Sequence, residues 1–427
     1  MTGLVAVRHV DLRAAEPPVP VAELVLDIFW WGDLPLGFKQ SLAGELPLGA
    51  GQMRALATEL LAAQLAGRDP ALGAPLAAGS EGRPRPALTL GAAAALDRPA
   101  DALAAIAPAA TNDARGISLV ICTRDRPAAL GKCLASLAGQ RSPPGEIVVV
   151  DNSASGSARS TCLQFPGIVY VQEPRPGLSH ARNAGVRAAR GKIVAFTDDD
   201  VEPHPGWLAE IARAFERHDA DCVTGLVLPA SLDTAAQRSF QFAMGGFGSN
   251  VVPVMFDRRF FAETMPHGAQ VWRIGAGANM AFRRSAFERA GLFDERLGAG
   301  ASGCSEDSEF WYRLLALGGS CLYEPRAVTF HHHRAEWREL RSQMRSYMRG
   351  HVSALVAQWD AFGHRGNLQR IGRQLPSYFL RTALASLWHR RATRLLILAE
   401  EVRGWLAGLL YLVRPGWRRR RGEWPTL

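Results

Sequence analysis

A short apolar run followed by three consecutive acidic residues constrains the fold of this 427-residue chain more than any other feature. Residues 193–197 are almost wholly apolar and too few for a typical helix, and Gly191 precedes them, so they are typical of a buried strand. Asp198 and Asp200 are two residues apart, so on an extended backbone their side chains point the same way. The sequence therefore predicts a buried strand that delivers two carboxylates to one place.

Two carboxylates at a strand end can bind Mg²⁺ or Mn²⁺, because these hard cations prefer oxygen ligands. Ligands of open α/β sheets sit at the ends of the strands, and a divalent ion at such a place suits a diphosphate. The alternative for residues 198–200 is a solvated acidic turn, and the flanking sequence has to decide between the two.

Strands and helices alternate on both sides of this run. Predicted strands cover residues 117–122, 147–150, 168–172, 193–197, 222–228 and 327–330. Predicted helices begin at Pro127, Leu178 and Pro205, where apolar residues recur at helical spacing or proline suits the first turn. The alternation predicts an α/β fold, a Rossmann-like and mostly parallel central sheet with helices on both faces.

Composition divides the chain into four parts. Residues 1–65 form a small α+β module with a strand at 23–31, a turn at 32–37 and a helix at 53–65. Residues 66–115 are rich in Ala, Gly and Pro and are expected to be a linker. Residues 116–333 contain the α/β domain, and residues 334–427 are expected to be helical and rich in arginine.

The positive charge is concentrated in the last part. Residues 334–427 carry eighteen arginines, no lysine and six acidic residues, a net charge of +12 in a chain whose total is +9. Arginines recur every three or four residues from Arg334 to Arg349, beside an apolar stripe, which predicts an amphipathic helix. That helix either docks on anionic lipid or packs against the chain's own catalytic domain.

The cysteines and the N-terminus indicate the compartment. The six cysteines are scattered without a CxxC pair, which fits a reducing environment and excludes a zinc ribbon. No basic and apolar leader is present, so a cytoplasmic location is expected. The longest uncharged run near the C-terminus, residues 404–413, is half of what a membrane span needs. Contact with a membrane is therefore expected to be peripheral, on its inner face.

Several further residues have two interpretations each. Asp151 ends a predicted strand and either holds a ribose hydroxyl or a base edge, or caps a turn. Arg182 either neutralises a diphosphate or lies on a solvated helix face. Gly277 either lets the backbone approach a ligand or makes a plain turn.

The region from residue 306 to residue 333 has its own candidates. Asp307, or its neighbour Glu306, is either a general base for a hydroxyl or a charge that complements the helix dipole. The run from His331 to His333 follows an apolar strand. A neutral imidazole there can complete a metal site, and the alternative is an exposed run.

Taken in this order, the motifs from residue 117 to residue 333 resemble a family 2 glycosyltransferase of the GT-A fold, over about half of the chain. The resemblance implies the following nucleotide-sugar contacts: Thr123, Asp125, Asp151, Arg182, Asn183, Asp198, Asp199 and Gly277. It implies a DxD metal motif of Asp198 and Asp200, with Asp200 as the direct ligand. It also implies a metal-binding histidine, either His331 or His333.

The same resemblance implies a reaction. Asp307 is the expected catalytic base, with Glu306 as its rival. A sugar would pass with inversion from a nucleotide-diphosphate sugar to a hydroxyl of a glycan or lipid-linked acceptor, with Mn²⁺ or Mg²⁺ as cofactor. The chain lacks a Gln-x-x-Arg-Trp motif and a clear membrane span, which favours a non-processive enzyme over a processive synthase.

Two other functions were weighed against this one. A sugar nucleotidyltransferase would need a glycine-rich, basic phosphate loop after the first strand, and residues 123–131 contain only Gly131. A nucleic-acid-binding protein could use the arginine-rich region, but it would leave the acidic cluster and the histidines unexplained. No nucleic acid partner is therefore expected.

Overall fold

The computed structural model of the chain describes residues 4–14, 17–48, 52, 56, 60, 76–77, 113–248, 250–413, 417 and 424–427. The helix predicted at 53–65 and the linker predicted at 66–115 lie almost entirely outside the described residues.

The N-terminal residues form a separate three-stranded sheet. Its strands are β1 (Val5–Asp11), β2 (Leu24–Trp31) and β3 (Leu34–Leu42), with β1 parallel and β3 antiparallel to β2. The sequence predicted only β2, because β1 carries Arg8 among its apolar residues. That arginine is buried and pairs with Asp27 at 2.6 Å. The turn predicted at 32–37 is confined to two residues, Gly32 and Asp33.

A ten-stranded mixed sheet forms the main body, in the order β4-β11-β13-β10-β12-β8-β5-β6-β7, with β9 paired to β13. The strands are β4 (Leu76–Ala77), β5 (Ile117–Thr123), β6 (Glu146–Asp151), β7 (Ile168–Gln172), β8 (Ile193–Asp198), β9 (Val201–Pro203), β10 (Cys222–Pro229), β11 (Val254–Phe256), β12 (Asn279–Arg283) and β13 (Cys321–His331).

The core of this sheet is parallel, as the alternation of elements predicts. β5 pairs in parallel with β6 and β8, and β6 pairs in parallel with β7. The expected α/β architecture, with parallel strands at the centre of the sheet, is therefore confirmed. Four strands of the sheet were not predicted: β4, β9, β11 and β12. Of these, β12 lies antiparallel between β8 and β10, where the sequence predicted only a glycine loop. Its short run of five residues follows two glycines, which hid the strand.

Helices cover both faces of the sheet and form the C-terminal part. They are α1 (Pro127–Leu137), α2 (Arg159–Cys162), α3 (Leu178–Ala188), α4 (Trp207–Arg217), α5 (Ala235–Arg238), α6 (Arg258–Thr264), α7 (Arg284–Ala290), α8 (Glu306–Ala316), α9 (Trp337–Phe362), α10 (Arg365–Gln369), α11 (Leu375–Trp388) and α12 (Ala392–Tyr411). Proline stands at the first turn of α1, as predicted.

The sheet has a separate apolar core on each face. Successive residues of β5 point to opposite faces, so Val120 joins the core that contains Phe196, whereas Leu119 and Ile121 join the core that contains Trp207. Burial on both faces explains why these strands appear in the sequence as continuous apolar runs. The polar residues that follow them are therefore left at the strand ends.

The arginine-rich helix α9 packs on the protein itself. Its apolar stripe, which includes Leu340 and Met344, is buried. Arg341 and Arg345 pair with the buried carboxylate of Glu400 on α12 at 2.7 and 2.5 Å. Of the two alternatives for this amphipathic helix, the structure shows the internal one. Within the described part of the chain, no helix has both the length and the apolarity to cross a membrane.

Candidate active site

A cavity of about 1680 Å³ opens where the central strands end. Its wall includes five segments far apart in sequence: the end of β5, the end of β8, the loop before β12, the start of α8 and the end of β13. The sequence-predicted residues that line it are Thr123, Arg182, Asp198, Asp199, Asp200, Gly277, Glu306, Asp307 and His331. Parallel strands end at one edge of a sheet, which brings these segments together.

Asp200 lies among cationic and imidazole groups. Its Oδ2 atom is 2.8 Å from Arg126 Nη2 and 3.5 Å from Arg334 Nη2, and its Oδ1 atom is 3.6 Å from His331 Nε2. Burial acts to raise the pKa of Asp200, but its neighbours, Arg126 and Arg334 among them, bring that pKa below its ordinary value. The carboxylate is therefore held ionised at the cavity wall.

The histidine run divides between the cavity and the protein interior. His331 lines the cavity, and its Nδ1 atom is 2.9 Å from Nδ1 of His333, which stands behind it. His333 Nε2 is 3.1 Å from the amide oxygen of Gln241. Burial lowers the pKa of His331 to about 4 and of His333 to about 3, so both rings are neutral at pH 7. His332 instead pairs with Glu202.

These contacts fix the tautomer of His331. The oxygen of Gln241 can only accept, so His333 donates through Nε2 and keeps a lone pair on Nδ1. His331 must then donate through Nδ1, which leaves a lone pair on Nε2 toward Asp200 and the cavity. A bare nitrogen beside a carboxylate oxygen repels it unless a cation or a donor lies between the two.

The donor set fits a divalent cation. Two ligands each about 2.1 Å from an ion lie at most about 4.2 Å apart, so the 3.6 Å gap between Asp200 Oδ1 and His331 Nε2 is compatible with one ion. Across the described residues, His, Cys, Asp and Glu side chains form no group of three or more at metal-binding separation. An ion held here would take its other ligands from water or from phosphate oxygens, as Mg²⁺ commonly does.

Arg182 links three parts of the cavity wall. Its guanidinium is buried and donates to Glu306 Oε1 at 2.5 Å, to the Gly277 carbonyl at 3.3 Å and to Asp198 Oδ1 at 3.5 Å. Burial raises the pKa of Glu306 to about 7, against the opposing charge of Arg182. Glu306 is therefore committed to this buried pair.

Asp307 presents its carboxylate to the cavity in a fixed orientation. The backbone N–H of Gly277 donates to Oδ2 at 2.9 Å, and that of Ser308 donates to Oδ1 at 2.6 Å. Ser305 in the left-handed conformation, with φ of 72°, turns the chain into α8 just before this residue. Of the two acidic residues left open by the sequence, Asp307 has the geometry of a base and Glu306 that of a structural partner.

Thr123 and Asp199 fasten the end of β5 to the acidic turn. The hydroxyl of Thr123 donates to Asp199 Oδ2 at 2.7 Å, and Arg126 Nη1 lies 2.6 Å from Asp199 Oδ1. Burial raises the pKa of Asp199 to about 6. The carboxylate of Asp199, the middle acid of the cluster, is thus already bonded to Thr123 and Arg126. Asp198 and Asp200 lie on either side of it in the same turn.

Three predicted nucleotide contacts are not among the described residues that line the cavity. Asp125 is exposed and has a φ of 55°. Asp151 is fully buried and accepts from the Ser153 and Ala158 backbone N–H groups and from the Tyr170 hydroxyl, which is the turn-capping alternative. The side-chain amide of Asn183 donates to the carbonyl of Phe293 and accepts from the backbone N–H of the same residue. The donors and acceptors of Asp151 and Asn183 are used inside the fold, whereas the Asp125 side chain is exposed to solvent.

Sequence reasoning missed two cations beside Asp200. Arg126 directly precedes the proline that opens α1, and Arg334 directly follows the histidine run. Each adjoins a segment that the sequence had already singled out, so proximity to a motif was the available signal. Nothing in the local pattern distinguished Arg126, and the spacing assigned Arg334 to the amphipathic stripe, although α9 begins only at Trp337.

The model of glycosyl transferase family 2 matches residues 118–291. The pre-mycofactocin glycosyltransferase of Mycobacterium tuberculosis is 28% identical over 236 residues, which is 53% of this chain and 44% of that protein. The succinoglycan biosynthesis protein ExoM of Rhizobium meliloti is 29% identical over 231 residues, 51% of this chain and 66% of that protein.

This chain spans less than half the length of the mycobacterial relative. Among solved structures, a mannosyltransferase from Pyrobaculum calidifontis in complex with GDP-Man and Mn²⁺ is 16% identical, with a TM-score of 0.46, over 71% of this chain and 89% of that one. The domain matched by the family model contains β5 through α7, and with them the acidic cluster and the glycine loop. Residues 118–291 of this chain are thus similar to glycosyl transferase family 2.

Proposed function

We propose that the chain transfers a sugar from a nucleotide-diphosphate sugar to a hydroxyl of a glycan or lipid-linked acceptor, with inversion, without processivity and with a divalent cation. One observation carries the proposal: Asp200, Asp307 and His331, from three distant segments, lie on the wall of one cavity. Residues 116–333 would form the catalytic domain, and α9 to α12 would close one side of the cavity.

The leaving-group end of the site is cationic. Asp200 and His331 would hold a Mn²⁺ or Mg²⁺ ion, with Asp198 on the same turn, and such an ion when bound neutralises a leaving diphosphate. Arg126 and Arg334 lie against Asp200 and add positive charge at the same end. Thr123 and Arg182 line the adjacent wall and are the proposed donor contacts.

Asp307 would act at the other end. Its carboxylate accepts the proton of the acceptor hydroxyl, and the oxygen attacks the anomeric carbon from the side opposite the diphosphate. The bond from that carbon to the diphosphate breaks as the new bond forms, so the configuration inverts. Because two backbone N–H groups fix the carboxylate, no reorientation of the base is needed before attack.

The test measures release of the nucleoside diphosphate. UDP-, GDP- and dTDP-sugars are offered with Mn²⁺ or with EDTA, to the wild-type chain and to Asp307→Asn and Asp200→Asn. Loss of a general base costs roughly 10²- to 10⁴-fold in kcat, and EDTA should abolish turnover. Asp113→Asn, at an exposed carboxylate near the start of the domain, is the matched control. Full activity in both site variants would refute the assignment.

The proposal includes contact with a membrane, through α11 rather than through the arginine-rich helix α9 that the sequence predicted. On α9, Arg341, Arg345 and Arg349 are bonded to groups of the protein itself, whereas α11 exposes Leu380, Leu384, Leu387 and Trp388, the last at 85%. Their spacing places them on one helix face. Between Asp360 and Glu400 the chain has seven arginines and no acidic residue. An apolar face with a tryptophan and cationic flanks is typical of contact with anionic lipid.

Sedimentation with vesicles tests this contact. The wild-type chain should bind phosphatidylcholine vesicles that contain phosphatidylglycerol, and less well those that lack it. Trp388→Ser should weaken binding several-fold, whereas Trp337→Ser, at a half-covered tryptophan of α9, should not. Equal binding by both variants would contradict the choice of α11. Binding to DNA measured alongside over a salt series separates lipid contact from general polyanion affinity.

A further inference from the structure

The cavity continues past Asp307 between the loop that precedes β12 and helices α9 and α11. This distal arm is lined by His267, Gln270, Trp272, His351, Arg370 and Tyr378. None of these residues belongs to the acidic cluster, the glycine loop or the histidine run. Arg370 is the arginine in this set, so its environment bears on what the arm can bind.

Arg370 is a largely buried cation that has only neutral partners among the described residues. Its guanidinium lies over the Trp272 ring at 4.0 Å, its Nε donates to His351 Nε2 at 3.0 Å, and its Nη1 donates to Gln374 Oε1 at 3.2 Å. Burial lowers the pKa of Arg370 to about 10, and that of its neighbour His351 to about 3, so the imidazole is neutral and gives Arg370 a hydrogen-bond acceptor without a counter-charge. A buried charge without a counter-charge is costly.

Several buried arginines of this protein pair with carboxylates, whereas the buried Arg238 donates to the backbone carbonyls of Leu232 and Asp233. Arg8 pairs with Asp27, Arg182 with Glu306, and Arg313 with Glu309. Arg370 therefore lacks the carboxylate partner that Arg8, Arg182 and Arg313 have. The difference is explained if the counter-charge comes from a ligand.

The rest of the arm is cationic rather than acidic. Arg381 lines it from α11, is exposed, and donates from Nε to the carbonyl of Ser377. Glu401 reaches the margin, but its carboxylate already pairs with Arg394 at 3.2 Å and accepts from the Tyr378 hydroxyl. The guanidinium groups of Arg370 and Arg381 thus face the arm, and the carboxylate of Glu401 at its margin is already paired with Arg394.

We infer that the distal arm binds a phosphate or diphosphate group of the acceptor, held by Arg370 and Arg381 while the acceptor hydroxyl lies at Asp307. This inference rests on the proposed function for the identity of the ligand as an acceptor. The planar guanidinium groups suit phosphate oxygens, and the Trp272 ring keeps the Arg370 plane fixed. The group can belong to a lipid carrier or to a soluble sugar phosphate.

Calorimetric titration with inorganic diphosphate in the presence of EDTA tests the site without metal, nucleotide or turnover, so the result is independent of glycosyl transfer. Arg370→Gln should weaken the affinity roughly tenfold or more, because a charge-assisted contact is lost. Arg381→Gln, at an exposed position that folding does not depend on, should weaken it several-fold. Arg373→Gln, an exposed arginine nearby that does not line the cavity, should stay within about twofold of wild type.

Diphosphate can also bind around Arg126, but that residue is unchanged in all variants, so its contribution to the measured affinity is the same in each. Unchanged affinity in Arg381→Gln and in Arg370→Gln overturns the inference, and Arg381→Gln alone decides if the other variant does not fold. Decyl phosphate and glucose 1-phosphate then distinguish the source. Tighter, Arg370-dependent binding of the alkyl ester supports a lipid carrier, and equal binding supports a soluble phosphate.

Discussion

Replacing Gly277 by alanine tests whether the position of Asp307 controls the reaction. A Cβ atom at Gly277 would lie 2.8 Å from Arg182 Nη2 and 3.0 Å from Asp307 Oδ2. Favourable contacts between heavy atoms begin near 3.5 Å, so both side-chain ends must move by roughly half an ångström. The backbone of Gly277 is not left-handed, so the change adds a methyl group without backbone strain.

The expected cost falls on the rate rather than on stability. Both atoms that must move are at the ends of side chains, so the fold can absorb the methyl group. The carboxylate of Asp307, however, leaves the orientation set by its bond to the Gly277 N–H. A misplacement of about 1 Å in a reacting group can cost about 10²-fold, so a shift of half that size should lower kcat on the order of tenfold. KM for the donor should change little.

The assay is steady-state release of the nucleoside diphosphate, with kcat and KM determined separately and unfolding measured in urea. Gly131→Ala is the matched control, because its Cβ would meet only Thr161 Cγ2 at an ordinary 3.6 Å. That variant lies inside α1 and should be stabilised by up to about 1 kcal/mol with unchanged kcat. A Gly277→Ala chain with wild-type kcat would refute the role given to Asp307.

Three other measurements follow from the buried groups. Arg182→Met should lower the free energy of unfolding by about 3–5 kcal/mol, since it leaves the Glu306 carboxylate buried without its cation; the exposed Arg373→Met serves as the control, and a loss below about 1 kcal/mol would contradict the pairing. Burial lowers the pKa of His351 to about 3 from 6.5, so the unfolded chain takes up its proton first as the pH falls. Wild type should therefore lose stability relative to His351→Phe between about pH 6.5 and pH 4, by at most about 1.4 kcal/mol per pH unit, and parallel curves would argue against it. Burial raises the pKa of the Cys122 thiol to about 12, so iodoacetamide at pH 8 should modify it only after unfolding; rapid labelling of the native chain would show that the thiol is accessible.

The parallel core of the sheet was predictable because its strands are buried on both faces. Such strands are continuous apolar runs between turn residues, and β5, β7 and β8 were found within one residue of their observed ends. Strands that break this pattern were missed. β1 has a buried Arg8 whose partner Asp27 lies 19 residues further along the chain, and β12 is a short strand after glycines.

The sequence by itself determined the α/β architecture, the strand that delivers Asp198 and Asp200, and the family whose motifs it resembles, since each depends on spacing along a few neighbouring residues. Only the tertiary structure decided that His331 rather than His333 faces the cavity, that Glu306 pairs with Arg182, and that Asp151 and Asn183 serve the fold. Those outcomes depend on which donors and acceptors from distant segments meet inside the protein. Local periodicity carries no information about such encounters, because most of the partners lie far apart in the sequence.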